Sequence, residues 1–185
     1  RGTYVLNSKD LNMINHIGEM TESGICSLKI EGRMKSEYYL ATVVNAYRRA
    51  IDEYYKIGDK YAKNAMFYDE LKKTNHRAFT TAYMFGDNEE TVNYADTQSS
   101  GEKKFIAVVT ESSTEKGYFV AEMRNRFKKG DRLELLTPNE NFNEIIEIGE
   151  MRDTDGNLVE DAKIVQQKLK IFSTVGAKVG DILRK

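Results

Sequence analysis

Between Ser36 and Ile57 the apolar residues Tyr39, Leu40, Val43, Val44, Tyr47, Ala50, Ile51, Tyr54 and Tyr55 recur three to four positions apart, and Gly58 follows. That spacing predicts a long amphipathic helix whose apolar stripe needs a partner surface. Ahead of it, Leu11, Ile14, Ile17 and Met20 step along one side of a shorter predicted helix, with Ser8 as its cap and Gly24 as its stop. Ile25-Cys26-Ser27-Leu28-Lys29-Ile30 reads as a brief strand bounded by glycines, and residues 61–72 read as a weaker third helix. Helix, strand, helix, helix is the pattern of an α/β sheet or barrel, and a single strand–helix unit cannot cover its own apolar face.

The periodicity then changes. Residues 88–102 are polar and aperiodic and read as a linker. From Lys103 the chain alternates with period two, and runs at 105–109, 118–127, 132–136, 143–150, 163–171 and 181–184 predict five or six short strands. Lys129-Gly130-Asp131, Asp155-Gly156-Asn157 and Val179-Gly180-Asp181 supply the turns of a small closed antiparallel barrel. The expected class is therefore α+β, with a helix-rich region over 1–87, a linker over 88–102 and a β-barrel over 103–185.

Composition narrows the partners. In 185 residues, 28 Lys and Arg stand against 29 Asp and Glu, a net charge of -1, so any binding of an anion must use a local patch rather than a global field. A single cysteine, Cys26, allows no internal disulfide and no cysteine-based metal site, which fits a reducing cytoplasm. No apolar run is long enough for a membrane span, the first residues lack the order of a signal peptide, and the missing initial methionine is what a piece of a longer chain would show.

Candidate chemistry concentrates in SLKIEGRMKS, where Lys29, Glu31, Arg33 and Lys35 alternate around Gly32 between a predicted strand end and a helix start. In α/β folds, strand ends converge on a crevice, and the free N–H groups of the next helix favour an anion. The group suits a carboxylate, a phosphate or a proton transfer, with Glu31 and Arg33 as catalytic candidates and Lys29 and Lys35 as substrate-binding ones. The ordinary alternative is that Glu31 and Arg33 pair with each other or cap the helix.

Three stretches together carry a family resemblance. RGTYVLNSKDL, SLKIEGRMKSEYY and NAYRRAID resemble the end of the catalytic region of the collagenase-like peptidases, peptidase family U32; NHRAFTTAYMFGD resembles the segment that follows there, and GYFVAEMRNRFKKGDRLELLTP its C-terminal β domain. The resemblance implies the tail of a barrel-like α/β catalytic region, then a barrel similar to those of translation elongation factors. It also implies a preceding barrel region as the partner that completes the site, so that this stretch alone is not catalytic. Where the family usually has glycine, Ala78 and Ala82 stand here, which predicts a less contorted backbone. The family's cysteine-rich signature, which in some members holds an iron–sulfur cluster, lies ahead of Arg1; the stretch itself implies no cofactor.

The resemblance implies proteolysis of a protein substrate, from the family's name, and alternatively hydroxylation of a pyrimidine in tRNA or rRNA using prephenate, with related hydroxylases of quinone synthesis also among its members. No Ser-His-Asp pattern or HExxH helix is present, and His16 and His76 suit surface or capping roles. For RNA, one face of residues 118–128 carries Phe119, Ala121, Met123 and Phe127, while the other carries Glu122, Arg124, Arg126 and Lys128, followed by Lys129. Arg124 and Arg126 are the candidate RNA contacts, against the ordinary role of a solvated barrel exterior. Of the tyrosines at 38, 39, 47, 54 and 55, helical spacing makes most core residues rather than stacking platforms.

Overall fold

The computed structural model describes residues 7–58, 61, 64–86, 91–94, 99–113 and 117–185. It divides into two compact units, residues 1–102 and 103–185.

The first unit is built on the predicted long helix, α2 (Glu37–Ile57). Ser36 caps it, its Oγ accepting a hydrogen bond from the Tyr39 N–H at 3.2 Å, and Gly58 ends it at φ 57, a conformation open to glycine. Tyr38, Val43, Ala46 and Ala50 are buried along one side, against α1 (Ile17–Glu22) and α3 (Ala65–Lys72). Their core, which includes Ile14, Ile17, Phe67 and Leu71, fills the gap between the three helices.

Several elements differ from the expectation. Ser8 caps no helix: it bridges to Val92, and the chain pairs as β1 (Asp10–Leu11) with β2 (Phe79–Thr80), in parallel, before a 3-10 turn at Ile14–His16 leads into α1. Asn12 supplies the cap, its Oδ1 accepting from the Ile14 N–H. The predicted strand at residues 25–30 is irregular and mostly exposed, because no neighbouring strand among the described residues offers it a ladder. Asn64 starts α3 by accepting from the Met66 N–H, three residues after the expected helix start. Residues 91–94 and 99–102 are tied to this unit despite their polarity: Lys9 N–H donates to the Thr91 carbonyl, Ser100 and His76 exchange two bonds, and Glu102 N–H donates to the Lys72 carbonyl.

The second unit is an antiparallel, barrel-like β structure. Seven strands form one ladder in the order β7 (Ile145–Glu147), β6 (Arg132–Leu136), β11 (Ile182–Arg184), β3 (Phe105–Ser113), β4 (Tyr118–Met123), β10 (Lys168–Phe172) and β8 (Met151–Arg152). A separate pair, β5 (Phe127–Lys128) with β9 (Asp161–Ala162), covers the same core. Nine strands stand where five or six were expected, because the run at 118–127 breaks at a bend into β4 and β5, and the two-residue strands β8 and β9 lie outside the predicted runs, too short to show alternation. Alternate residues Phe119, Ala121, Met123, Leu133, Leu135, Leu169, Ile171 and Leu183 point inward, each nearly inaccessible. A fully buried Leu or Phe contributes ~1.5–3 kcal/mol, so this interior is the unit's main source of stability. Gly130, Gly156 and Gly180 take positive φ at the turns where the sequence placed them.

Candidate functional site

The segment 25–35 leaves α1 through Ser23 and Gly24, runs along the surface, and turns into α2. The turn is closed by the Lys35 N–H donating to the Gly32 carbonyl at 2.9 Å, which puts Arg33 and Met34 at its tip. Leu40 on the first turn of α2 packs over Gly32: a Cβ there would lie 2.1 Å from Leu40 Cδ2, so a larger residue would push that side chain aside. Met34 is 92% exposed, and Arg33 is exposed with no hydrogen bond or ion pair among the described residues.

The four alternating charges separate into different pairings. Lys29 Nζ meets Glu31 Oε1 at 2.9 Å on the open surface, and the hydrogen bond to Glu31 raises the Lys29 pKa above its ordinary value. Glu31 thus takes Lys29 as its partner in place of Arg33. Lys35 turns the other way, to 3.7 Å from Asp10 Oδ2, with its ammonium 4.7 Å above the Tyr39 ring. Asp10 also accepts from the Arg77 N–H at 3.0 Å, and so joins β1, the residues before β2 and the start of α2. Tyr39 has its pKa raised, by burial first and by the Asp10 charge second. Arg33 is left as an open guanidinium beside the N-terminus of a 21-residue helix, where free N–H groups add positive potential. Chemically, the loop offers one cation to a carboxylate or phosphate and one carboxylate, Glu31, two residues away.

In the β unit, Arg124 and Arg126 lie outside the barrel, as the alternation predicts, and both face acids. Arg126 grips Asp161 with two bonds, Nε–Oδ1 at 2.9 Å and Nη2–Oδ2 at 2.6 Å, and Arg124 Nη2 lies 3.4 Å from Glu122 Oε1. The Arg126 guanidinium holds the Asp161 carboxyl below its usual pKa. Lys129 stands 3.8 Å from Glu160. Asp10 and Asp161 are the two residues that sequence reasoning missed. Each acts on a residue far along the chain, Arg77 or Arg126, and no local spacing marks such a pair.

Among the described residues no three His, Cys, Asp or Glu side chains gather as a metal site, and Cys26 is exposed. One thiol does not fit an iron–sulfur cluster, which takes about four such ligands. His16 contacts Glu19 and the Phe85 ring, and His76 stacks on Phe79 with Nδ1 against the Arg77 carbonyl. Among the described residues no helix is long and apolar enough to cross a membrane. Ala82, despite its side chain, adopts φ 48, so the contorted backbone expected of glycine persists there.

Comparison with known proteins bears on both units. The family model described as Peptidase family U32 matches residues 1–94, and that of the Peptidase family U32 C-terminal domain matches residues 102–184. The tRNA hydroxylation protein P of Haemophilus influenzae is 37% identical over 148 residues, 79% of this chain and 32% of its own length. The tRNA hydroxylation protein P1 of Bacillus subtilis is 35% identical over 178 residues, 90% of this chain and 40% of its own. A collagenase of Porphyromonas gingivalis is 32% identical over 85 residues, 45% of this chain and 20% of its own. The chain thus spans about a third of the length of the curated relatives it matches.

Proposed function

The chain belongs to peptidase family U32, and from that premise we propose that it is part of a protein that hydroxylates tRNA. The observation that carries this reading is the breadth of the match. Relatives named for tRNA hydroxylation align with 79% and 90% of the chain, reaching into both units, whereas the collagenase aligns with less than half. The hydrolytic reading draws on the family's name and on that narrower match.

Within this reading the loop ahead of α2 contributes Arg33 as the contact for an anionic group, a tRNA phosphate or the carboxylate of a small co-substrate. Glu31, steadied by Lys29, is the group placed to move a proton, and Lys35, fixed by Asp10 and Tyr39, adds positive potential at the helix start. The oxygen chemistry belongs to the rest of the full-length protein, together with any cluster its cysteines hold. A tRNA substrate also places the protein in the cytoplasm.

The test is made in cells. The gene for the full-length protein is deleted, tRNA is digested to nucleosides, and pyrimidines heavier by one oxygen atom are quantified by mass spectrometry. Loss of such a nucleoside, restored by the intact gene, is the expected result. An unchanged nucleoside profile, together with loss of a peptide-hydrolysing activity, would overturn the reading in favour of proteolysis.

A further inference from the structure

The segments 118–129 and 161–172 run antiparallel as one bent ribbon. The β4–β10 ladder pairs Lys168 with Glu122, and the β5–β9 ladder pairs Lys128 with Asp161. Between them, Met123 N–H donates to the Gln167 carbonyl and Gln166 N–H donates to the Met123 carbonyl, which carries the pairing up to the bend, where the Arg124 and Asn125 N–H groups turn to the Ile106 carbonyl. Met123, Phe127, Ala162 and Leu169 point into the core. The residues between them therefore face out.

Charge collects on that outer face. Arg124, Arg126, Lys128 and Lys129 come from the first segment, and Lys163, Lys168 and Lys170 from the second, against three acids, Glu122, Glu160 and Asp161. Residues 103–185 hold fifteen Lys and Arg and fourteen Asp and Glu; the ribbon takes seven and three of these, leaving eight and eleven elsewhere. The unit is thus polarised, with a basic ribbon on an otherwise acidic body, in a chain whose net charge is -1. Arg126 uses one edge of its guanidinium on Asp161, which fixes its orientation and leaves three of its five N–H donors for another acceptor. At the bend, Ile164 and Val165 are 61% and 75% exposed, on a turn closed by Gln167 N–H donating to the Ile164 carbonyl and containing Gln166 at φ 59. An apolar tip between two lysines has few contacts of its own in the fold.

We propose that this ribbon is the tRNA-docking surface of the β unit, its cations tracking the phosphate backbone while the Ile164–Val165 tip rests on sugar or base faces. The proposal rests on the tRNA reading above and adds to it the contact surface: Lys128, Lys163 and Lys168 join Arg124 and Arg126. A row of cations on one strand face, with one arginine held in place, suits a polyanion of regular spacing.

The test uses the chain of residues 1–185 and fluorescently labelled tRNA, with affinity measured at several salt concentrations. Lys128→Glu/Lys163→Glu is compared with Lys104→Glu/Lys178→Glu, a reversal of equal charge away from the ribbon. Lys128 and Lys163 are exposed, make no side-chain hydrogen bond among the described residues and act on Asp161 through charge alone, so their reversal leaves the inward-facing core untouched; Lys128→Gln/Lys163→Gln, which adds no repulsion to Asp161, is measured beside it and is expected to weaken binding in the same direction. The expected result is that the ribbon variant binds tRNA at least roughly tenfold more weakly and with a shallower salt dependence, while the control stays within about twofold. Equal weakening in both variants, or in neither, overturns the assignment. So does a ribbon variant that keeps its tRNA affinity but loses binding to phosphatidylserine vesicles, which would make the ribbon a membrane contact. Because binding is read without the hydroxylation reaction, the two ideas fail separately: unchanged affinity beside intact hydroxylation in cells sinks the ribbon alone, and weakened affinity beside an unchanged nucleoside profile sinks the tRNA-hydroxylation reading alone.

Discussion

Ala82 shows how far a single residue can hold a conformation that suits another. Its φ of 48 lies in the left-handed region, where a Cβ costs of order 1 kcal/mol relative to glycine. Ala78 has no such φ. Ala82→Gly is therefore expected to leave the melting temperature unchanged or higher, while Ala78→Gly lowers it, the added chain freedom costing ~0.5–1 kcal/mol of stability. Thermal unfolding of the two variants side by side checks this, and a loss at Ala82→Gly as large as at Ala78→Gly would contradict it. Asp131 gives a pH prediction. Lys185 Nζ at 2.7 Å has the largest effect and favours its carboxylate; burial opposes it less strongly, and the Lys128 N–H at 3.0 Å adds to the lowering, so its pKa is lowered on folding. Its stabilising contribution is present above the unfolded value of ~3.9 and is lost as pH falls through the lower folded value. Asp131→Asn should make unfolding less dependent on pH in that acid window, as followed by circular dichroism.

At the scale of elements, the bounds of α2 were legible, because its stripe and its Gly58 stop lie within the helix and its flank, and the structure adds the Ser36 cap. Ser36→Ala should cost about 1 kcal/mol in denaturant unfolding by removing the bond to the Tyr39 N–H. The barrel turns were equally readable, since each needs a local glycine. What escaped were features decided by distant partners. Residues 25–30 have the composition of a strand but no strand to pair with among the described residues, and β1 pairs with β2 almost seventy positions away. The polar residues after Thr91 looked like linker, yet Gly101 packs so closely that a Cβ would sit 2.7 Å from the Thr74 carbonyl carbon and 2.9 Å from the Asn75 nitrogen. Backbone cannot yield as a side-chain tip can. Gly101→Ala should therefore destabilise the first unit by about 1–3 kcal/mol.

For the whole molecule, the sequence located the charged loop ahead of α2 and the basic strand face, while the strand expected to lead into the loop is absent among the described residues. It could not say how their charges would be shared. Lys29 with Glu31, Lys35 with Asp10 and Arg126 with Asp161 are pairings made by the fold, and they leave Arg33 as the loop's open cation among the described residues. The loop's part in the proposed function turns on that residue, whose exposure means that its removal should leave the fold intact. The decisive measurement is the hydroxylated pyrimidine content of tRNA from the deletion strain carrying the full-length protein either unaltered or as Arg33→Ala. The account predicts that the unaltered protein restores the nucleoside and that Arg33→Ala, present at the same level, restores a small fraction of it. Full restoration by Arg33→Ala would contradict the role of the loop, and failure of the unaltered protein to restore it would contradict the function itself.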